Sequence, residues 1–254
     1  MNSIKKKLKS YLRDKNQIVC ITCYDASFGK ILNDLRIDIV LVGDSLGMVI
    51  KGDTTTHNVT IDEMIYHSSC VAKTKQNFIM MADMPINSYE DSDIAYLNSR
   101  KLLDNNVDII KLEYQDKHQS IIKKLVEENI PVCGHIGLLP QIAFEKKDLR
   151  IYGREAEERD KLIRQAKDLE ELGVDIVLLE CVHAEVTKEI TDSINIPVIG
   201  IGSGESCNGQ VQVLYDILGI SNNPPKFSKN YLKDADSVSN AIKNFSNYVK
   251  KIKY

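Results

Sequence analysis

No apolar run in this sequence of 254 residues approaches the roughly 20 residues that a membrane-spanning helix needs, so no membrane span is expected. Met1 to Arg13 is charged throughout and lacks the apolar core of a signal peptide. An excess of positive charge is missing too. Lys and Arg number 33 against 36 Asp and Glu, for a net charge of −3, which leaves no electrostatic footprint for nucleic acid. The short clusters Lys5-Lys6-Lys7 and Lys250-Lys251 read as solvated helix faces. Neither a second C-x-x-C nor a pair of histidines accompanies Cys20-Ile21-Thr22-Cys23, so a zinc site is excluded. That stretch has the composition of a strand, and the six cysteines read as small thiols buried in a protein of a reducing cytoplasm. Gly200, Gly202 and Gly204 fall short of the full G-x-G-x-x-G, and no acid stands where a dinucleotide site needs one. Close approach of backbone to a ligand, or a tight barrel turn, is the better reading of these glycines. There is no linker and no low-complexity segment, so one domain over residues 1–254 is expected.

What the chain does have is an internal echo. Ile37-Asp38-Ile39-Val40-Leu41-Val42-Gly43 returns as Val107-Asp108-Ile109-Ile110-Lys111-Leu112-Glu113, and again as Val174-Asp175-Ile176-Val177-Leu178-Leu179-Glu180. A second echo pairs Asn129-Ile130-Pro131-Val132-Cys133-Gly134 with Asn195-Ile196-Pro197-Val198-Ile199-Gly200, each opened by a proline where a strand tolerates one. Together with Ile18–Thr22 and Phe78–Asp83, these runs predict strands near residues 18, 38, 78, 108, 131, 175 and 197. Helical patterns are predicted at 3–14, 25–35, 60–74, 91–105, 117–129, 155–172 and 235–251. Alternation of strand and helix implies a parallel sheet. The triple echo then marks the second, fourth and sixth strands, and alternate strands fill one interior layer of an eight-stranded barrel. The expected fold is a (βα)8 TIM-type barrel of residues 18–251 behind an N-terminal helix, with Gln210–Asp216 as candidate eighth strand.

The C-terminal ends of these strands carry the chemistry. They present Asp44 and Ser45, then Asp83, then Lys111 and Glu113, then His135, then Glu180. Each has an ordinary reading: Asp44 as a helix N-cap, as for Asp25; Lys111 and Glu113 as an internal ion pair; His135 as a satisfied core histidine. Asp38, Asp108 and Asp175 open their strands and so belong to the opposite rim. Convergence on one rim weakens the ordinary readings, because burying four carboxylates is costly without a compensating cation, and one lysine does not balance them. Hard oxygen donors with no cysteine favour Mg²⁺ over zinc. A cation with open positions can take a chelating 2-oxo acid and polarise its carbonyl, and a carboxylate not so engaged can act as general base at the adjacent carbon.

Several stretches resemble the 3-methyl-2-oxobutanoate (ketopantoate) hydroxymethyltransferase family. They are Val42–Met48, Ala82–Pro85, Lys111–Glu113, Gly134–Leu138, Pro140-Gln141, Leu179–Val182, Pro197–Gly202 and Pro225–Phe227, in order from about residue 18 to 231. The resemblance implies a Mg²⁺-dependent barrel that transfers a one-carbon unit from 5,10-methylenetetrahydrofolate to 3-methyl-2-oxobutanoate. The products are 2-dehydropantoate and tetrahydrofolate, in pantothenate biosynthesis. It implies Asp44, Asp83 and Glu113 at the metal, Asp44, Ser45, Asp83 and Lys111 on the oxo acid, and Glu180 as the catalytic proton acceptor. His135 is added as active-site support. It further implies a cytoplasmic homo-oligomer, a decamer in the family pattern, with small-molecule substrates as partners. The chain departs from that pattern at Tyr114-Gln115, where a glycine pair is usual, at Ile86 and at Asn208-Gly209-Gln210. Tyr114 is expected to reshape or narrow the rim. The competing readings are a Mg²⁺-dependent lyase or mutase of the isocitrate lyase type, which lacks support in a reactive-cysteine loop, and an inactive barrel scaffold, which would have lost one of the site groups.

Overall fold

A computed structural model describes residues 3–143 and 148–252. Eight parallel strands close into a barrel in sequence order, with β1 paired to β8. They are β1 (Ile18–Thr22), β2 (Ile39–Val42), β3 (Ile79–Asp83), β4 (Ile109–Glu113), β5 (Val132–Gly137), β6 (Ile176–Glu180), β7 (Val198–Ile201) and β8 (Gly209–Gln212). The helices outside the barrel include α2 (Ala26–Asp34), the short α3 (Leu46–Val49), α4 (Ile61–Ala72), α5 (Ser92–Asp104), α6 (Gln119–Glu127), α7 (Ala156–Leu172), α8 (Ala184–Ser193) and α10 (Val238–Lys251). Among the described residues no helix is long and apolar enough to cross a membrane.

Helix starts follow local chemistry. Asp25 accepts the Phe28 N–H and caps α2, as its sequence position predicts. Thr60 and Glu63 form a reciprocal capping box on α4. Along each strand, side chains alternate between two apolar layers. One fills the barrel with Ile18, Cys20, Ile39, Leu41, Ile79, Met81, Ile109, Cys133, Ile176, Leu178, Ile199 and Val211. Leu8, from α1 (Ser3–Arg13), packs against that interior. The other layer joins the strands to the helices.

The triple echo has a structural cause at the N-terminal rim. Asp38 accepts the N–H of Val19 on β1, Asp108 that of Met80 on β3, and Asp175 that of Val132 on β5. Each even strand thus opens by fastening the odd strand before it. Cys20, Cys23, Cys133, Cys181 and Cys207 are buried free thiols and Cys70 is half-buried.

Strand eight is shorter than expected. It covers Gly209–Gln212, and Leu214–Ile217 is a helical turn, α9. The alternation that suggested a longer strand ends at Val213, whose extended backbone starts α9. No helix separates β7 from β8, and the chain returns through residues 202–208 alone. This explains the glycines. A Cβ on Gly200 would sit 2.6 Å from Cys207 Sγ, and Gly202 has φ +61° with Phe227 against it.

Candidate active site

Inward-facing positions at the C-terminal ends of the strands continue the interior layer upward, and here the apolar filling stops. Asp83 lies in register with Lys111, and Glu113 with His135. Asp44, Asp83, Lys111, Glu113 and His135 are all buried. Lys111 Nζ donates to Asp83 Oδ1 at 2.6 Å, and Asp83 Oδ2 accepts the Asp44 N–H at 3.0 Å. Asp44 Oδ2 accepts the Gln141 side-chain amide at 2.8 Å. Both Glu113 oxygens accept the Gln141 backbone N–H, at 3.0 and 3.2 Å. Ser45 Oγ lies 2.8 Å from the Tyr24 hydroxyl, with which it shares a hydrogen bond.

Glu180 and His135 stand apart from this network. His135 Nε2 is 3.4 Å from Glu180 Oε2, and neither ring nitrogen has a hydrogen-bond partner among the described residues. The Glu180 carboxylate likewise accepts no hydrogen bond among them, and its side chain keeps 18% of its surface exposed. The Glu180 backbone is held, because its carbonyl accepts the Leu138 N–H. The Ser203 hydroxyl spans the bend, donating to the Leu179 carbonyl and accepting the Val182 N–H. Cys181, at the bend, takes the left-handed conformation with φ +51°.

The electrostatics follow from burying at this rim, among the described residues, four acids with one ammonium. Burial and then Asp83 raise the Asp44 carboxyl, against Lys111 and Gln141. Burial and Asp44 raise Glu113 well above the usual carboxylate range. Glu180 is pushed up to about 7 by burial, with Lys111 pulling it down and Asp83 adding to the rise. Burial acts to lower Lys111, but Asp83, Asp44 and Glu113 outweigh it, so the ammonium is firmly held. Burial, helped by Lys111, keeps His135 neutral. Buried thiols such as Cys133 and Cys207 are pushed up to about 12 by burial and are poor nucleophiles.

The donor set fits a hard divalent cation in a specific way. Asp44 Oδ1 takes no protein donor among the described residues, and the site carries more negative than positive charge. Yet among the described residues no three His, Cys, Asp or Glu side chains gather closely enough to hold a metal. The expected trio of Asp44, Asp83 and Glu113 is therefore not a closed cage. Glu113 accepts the Gln141 backbone N–H, whereas Asp83 is joined to Asp44 through the Asp44 N–H, so Asp44 and Asp83 would be the candidate pair. Mg²⁺ needs only one or two carboxylates, with water and substrate completing its shell.

The expected groups do reach one rim, and three others join them that sequence reasoning did not single out. Gln141 falls within a family-like stretch but carries no charge or motif that marks it. Tyr89, which donates to Gln141 Oε1 at 2.6 Å, and Tyr24 are buried tyrosines that no sequence signal separates from core aromatics. Tyr114 differs from expectation. Glu113 points inward, so its neighbour points outward, and Tyr114 is buried between strands and helices rather than at the mouth. At Gly43, in the register of Glu113 and Glu180, a Cβ would lie 2.8 Å from Ser45 Oγ and 3.4 Å from Asp83 Oδ2. The missing side chain lets Asp44 approach Asp83.

Comparisons with known proteins agree on the family. The family model described as ketopantoate hydroxymethyltransferase matches residues 3–254. A 3-methyl-2-oxobutanoate hydroxymethyltransferase of Vesicomyosocius okutanii subsp. Calyptogena okutanii is 42% identical over 244 residues, covering 96% of this chain and 94% of the relative. One from Vibrio cholerae serotype O1 is 41% identical over 236 residues, covering 92% and 89%. Among solved structures, oxaloacetate acetylhydrolase with 3,3-difluorooxalacetate gives a TM-score of 0.64 at 13% identity, covering 98% of each chain. A 2,3-dimethylmalate lyase gives 0.62 at 13% identity, covering 83% and 80%. At these identities the structural likeness shows the barrel fold alone.

Proposed function

This chain belongs to the ketopantoate hydroxymethyltransferase family and is a hydroxymethyl-transferring enzyme, and from that premise we propose that it converts 3-methyl-2-oxobutanoate to 2-dehydropantoate. The one-carbon donor in this reading is 5,10-methylenetetrahydrofolate. The oxo acid loses a proton from C3, C3 bonds to the methylene carbon, and water supplies the hydroxyl as tetrahydrofolate leaves. The step belongs to pantothenate biosynthesis, in a cytoplasmic homo-oligomer.

Asp44 and Asp83 would hold Mg²⁺, with Glu113 beside them. When bound, the cation supplies Lewis-acid polarisation of the 2-oxo group. Lys111, kept protonated by its acidic neighbours, offers further N–H donors to the oxo acid, and Ser45 offers a hydroxyl oriented by Tyr24. Glu180 takes the C3 proton. Neutral His135, 3.4 Å away, borders the space that the base needs.

One observation carries this assignment. Of the four rim carboxylates, Asp44, Asp83 and Glu113 accept protein hydrogen bonds, and Glu180 alone accepts none among the described residues. A carboxylate without protein donors keeps its lone pairs free for a substrate proton, and burial, which pushes it up to about 7, lets it act as a base near neutrality. The direct test is to incubate the protein with both substrates and Mg²⁺ and follow 2-dehydropantoate by mass spectrometry. Product is expected with Mg²⁺ and not after chelation. No product under saturating conditions would overturn the reading.

A further inference from the structure

Gln141 makes more contacts to the rim carboxylates than any group so far given a role. Its backbone N–H caps both Glu113 oxygens at the end of β4. Its side-chain amide donates to Asp44 Oδ2, after β2, at 2.8 Å and to the Met84 carbonyl, after β3, at 2.9 Å. Its Oε1 accepts the Tyr89 hydroxyl. Every polar atom of that amide is used, and the two acceptors on one side with a donor on the other fix which atom is nitrogen. The preceding carbonyl, of Pro140, accepts the His57 Nε2–H at 3.0 Å, which ties the segment to the loop after β2. A single residue of the loop that follows β5 thereby ties together two acids from non-adjacent strands.

Resting on the Mg²⁺ reading above, we infer that Gln141, oriented by Tyr89, is a positioning residue for the cation site. It occupies Asp44 Oδ2 and turns Oδ1 to the open side, and it keeps Glu113 from collapsing onto the cation pair. Buried carboxylates beside a metal depend on such partners, and removing one commonly weakens metal affinity by about 10–100-fold.

Mg²⁺ binding to the substrate-free protein, read by calorimetry, tests this. Gln141→Met keeps the length and the backbone cap but deletes the amide, and is expected to raise the Mg²⁺ Kd by about tenfold or more. Turnover lost at low Mg²⁺ should return at high Mg²⁺, which a collapsed rim would not allow. Tyr89→Phe frees the amide without removing it, so it should weaken Mg²⁺ binding in the same direction by less, and it serves if Gln141→Met fails to fold. A Kd within twofold of wild type in a folded Gln141→Met, or in Tyr89→Phe should the other not fold, would overturn the inference. Wild-type protein that takes up no Mg²⁺ would overturn the cation reading itself, and this inference with it.

Discussion

In the proposed mechanism Glu180 is the base, and its environment sets a pH dependence. Burial raises its carboxyl to about 7 against the pull of Lys111, and only the carboxylate can accept a proton. A bound cation favours the carboxylate further, so activity should fall on acidification with an acid limb at or below about pH 7. A pH–rate profile flat down to pH 4 would contradict this. Among the described residues Lys111 is the only ammonium paired with these acids, so Lys111→Met should raise the KM for the oxo acid by about tenfold, the order expected when a hydrogen bond to a charged group is lost. Steady-state kinetics read that directly, and an unchanged KM would remove Lys111 from the substrate site. The charged groups that gather at this rim were legible in the sequence, because strand ends mark them by position and hydrophobic context. Gln141, Tyr89 and Tyr24 were not. Neutral residues on loops reveal a role only through tertiary neighbours, and nothing in the order of residues brings Gln141 to Asp44.

At the scale of elements, the three strand-opening aspartates separate stability from activity. Asp108 accepts the Met80 N–H and pairs with Lys75 at the rim opposite the site. Asp108→Ala should cost about 1–3 kcal/mol of unfolding free energy, the range for a hydrogen bond to a charged group and an orphaned N–H. It should leave kcat unaltered. Denaturant unfolding and turnover measured together check both halves, and a lost kcat with intact stability would contradict the division of the rims. Gly137 makes the opposite case. With φ +99°, and with a Cβ there falling 2.3 Å from the Glu180 carbonyl oxygen, Gly137→Ala must move Glu180 and should depress kcat. The periodicity of two that places Glu113 inward also sends Tyr114 outward, a consequence that comparison with a glycine pair did not capture. Strand eight was misjudged in length because Leu214–Ile217 continues the apolar pattern as a helical turn.

For the whole molecule, the barrel was legible because the chain repeats two βα units and each repeat performs the same fastening. The repeat does not report the missing helix between β7 and β8, where close packing on glycines replaces it. The charge imbalance of the mouth is also a property of the whole fold. A carboxyl whose pKa is raised on folding contributes stability below its unfolded value, about 4.5 for Glu180, and loses that contribution as pH rises through about 7. Cation-free Glu180→Gln escapes this loss. It should therefore be more stable than wild type at pH 8 by about 1–3 kcal/mol, discounted for partial exposure, with the gap closing by pH 5. Equal stability at pH 8 would refute the strain assigned to that carboxylate.

In the proposed reaction Glu180 removes the C3 proton of a 2-oxo acid held beside Asp44, Asp83 and Lys111. Deuterium entry at C3 of 3-methyl-2-oxobutanoate, followed by NMR in D₂O with Mg²⁺ and no folate, measures that step alone. Exchange is predicted for wild type, to stop on chelation and in Glu180→Gln. Exchange that persists in folded Glu180→Gln, or is absent from active wild-type protein, would contradict it.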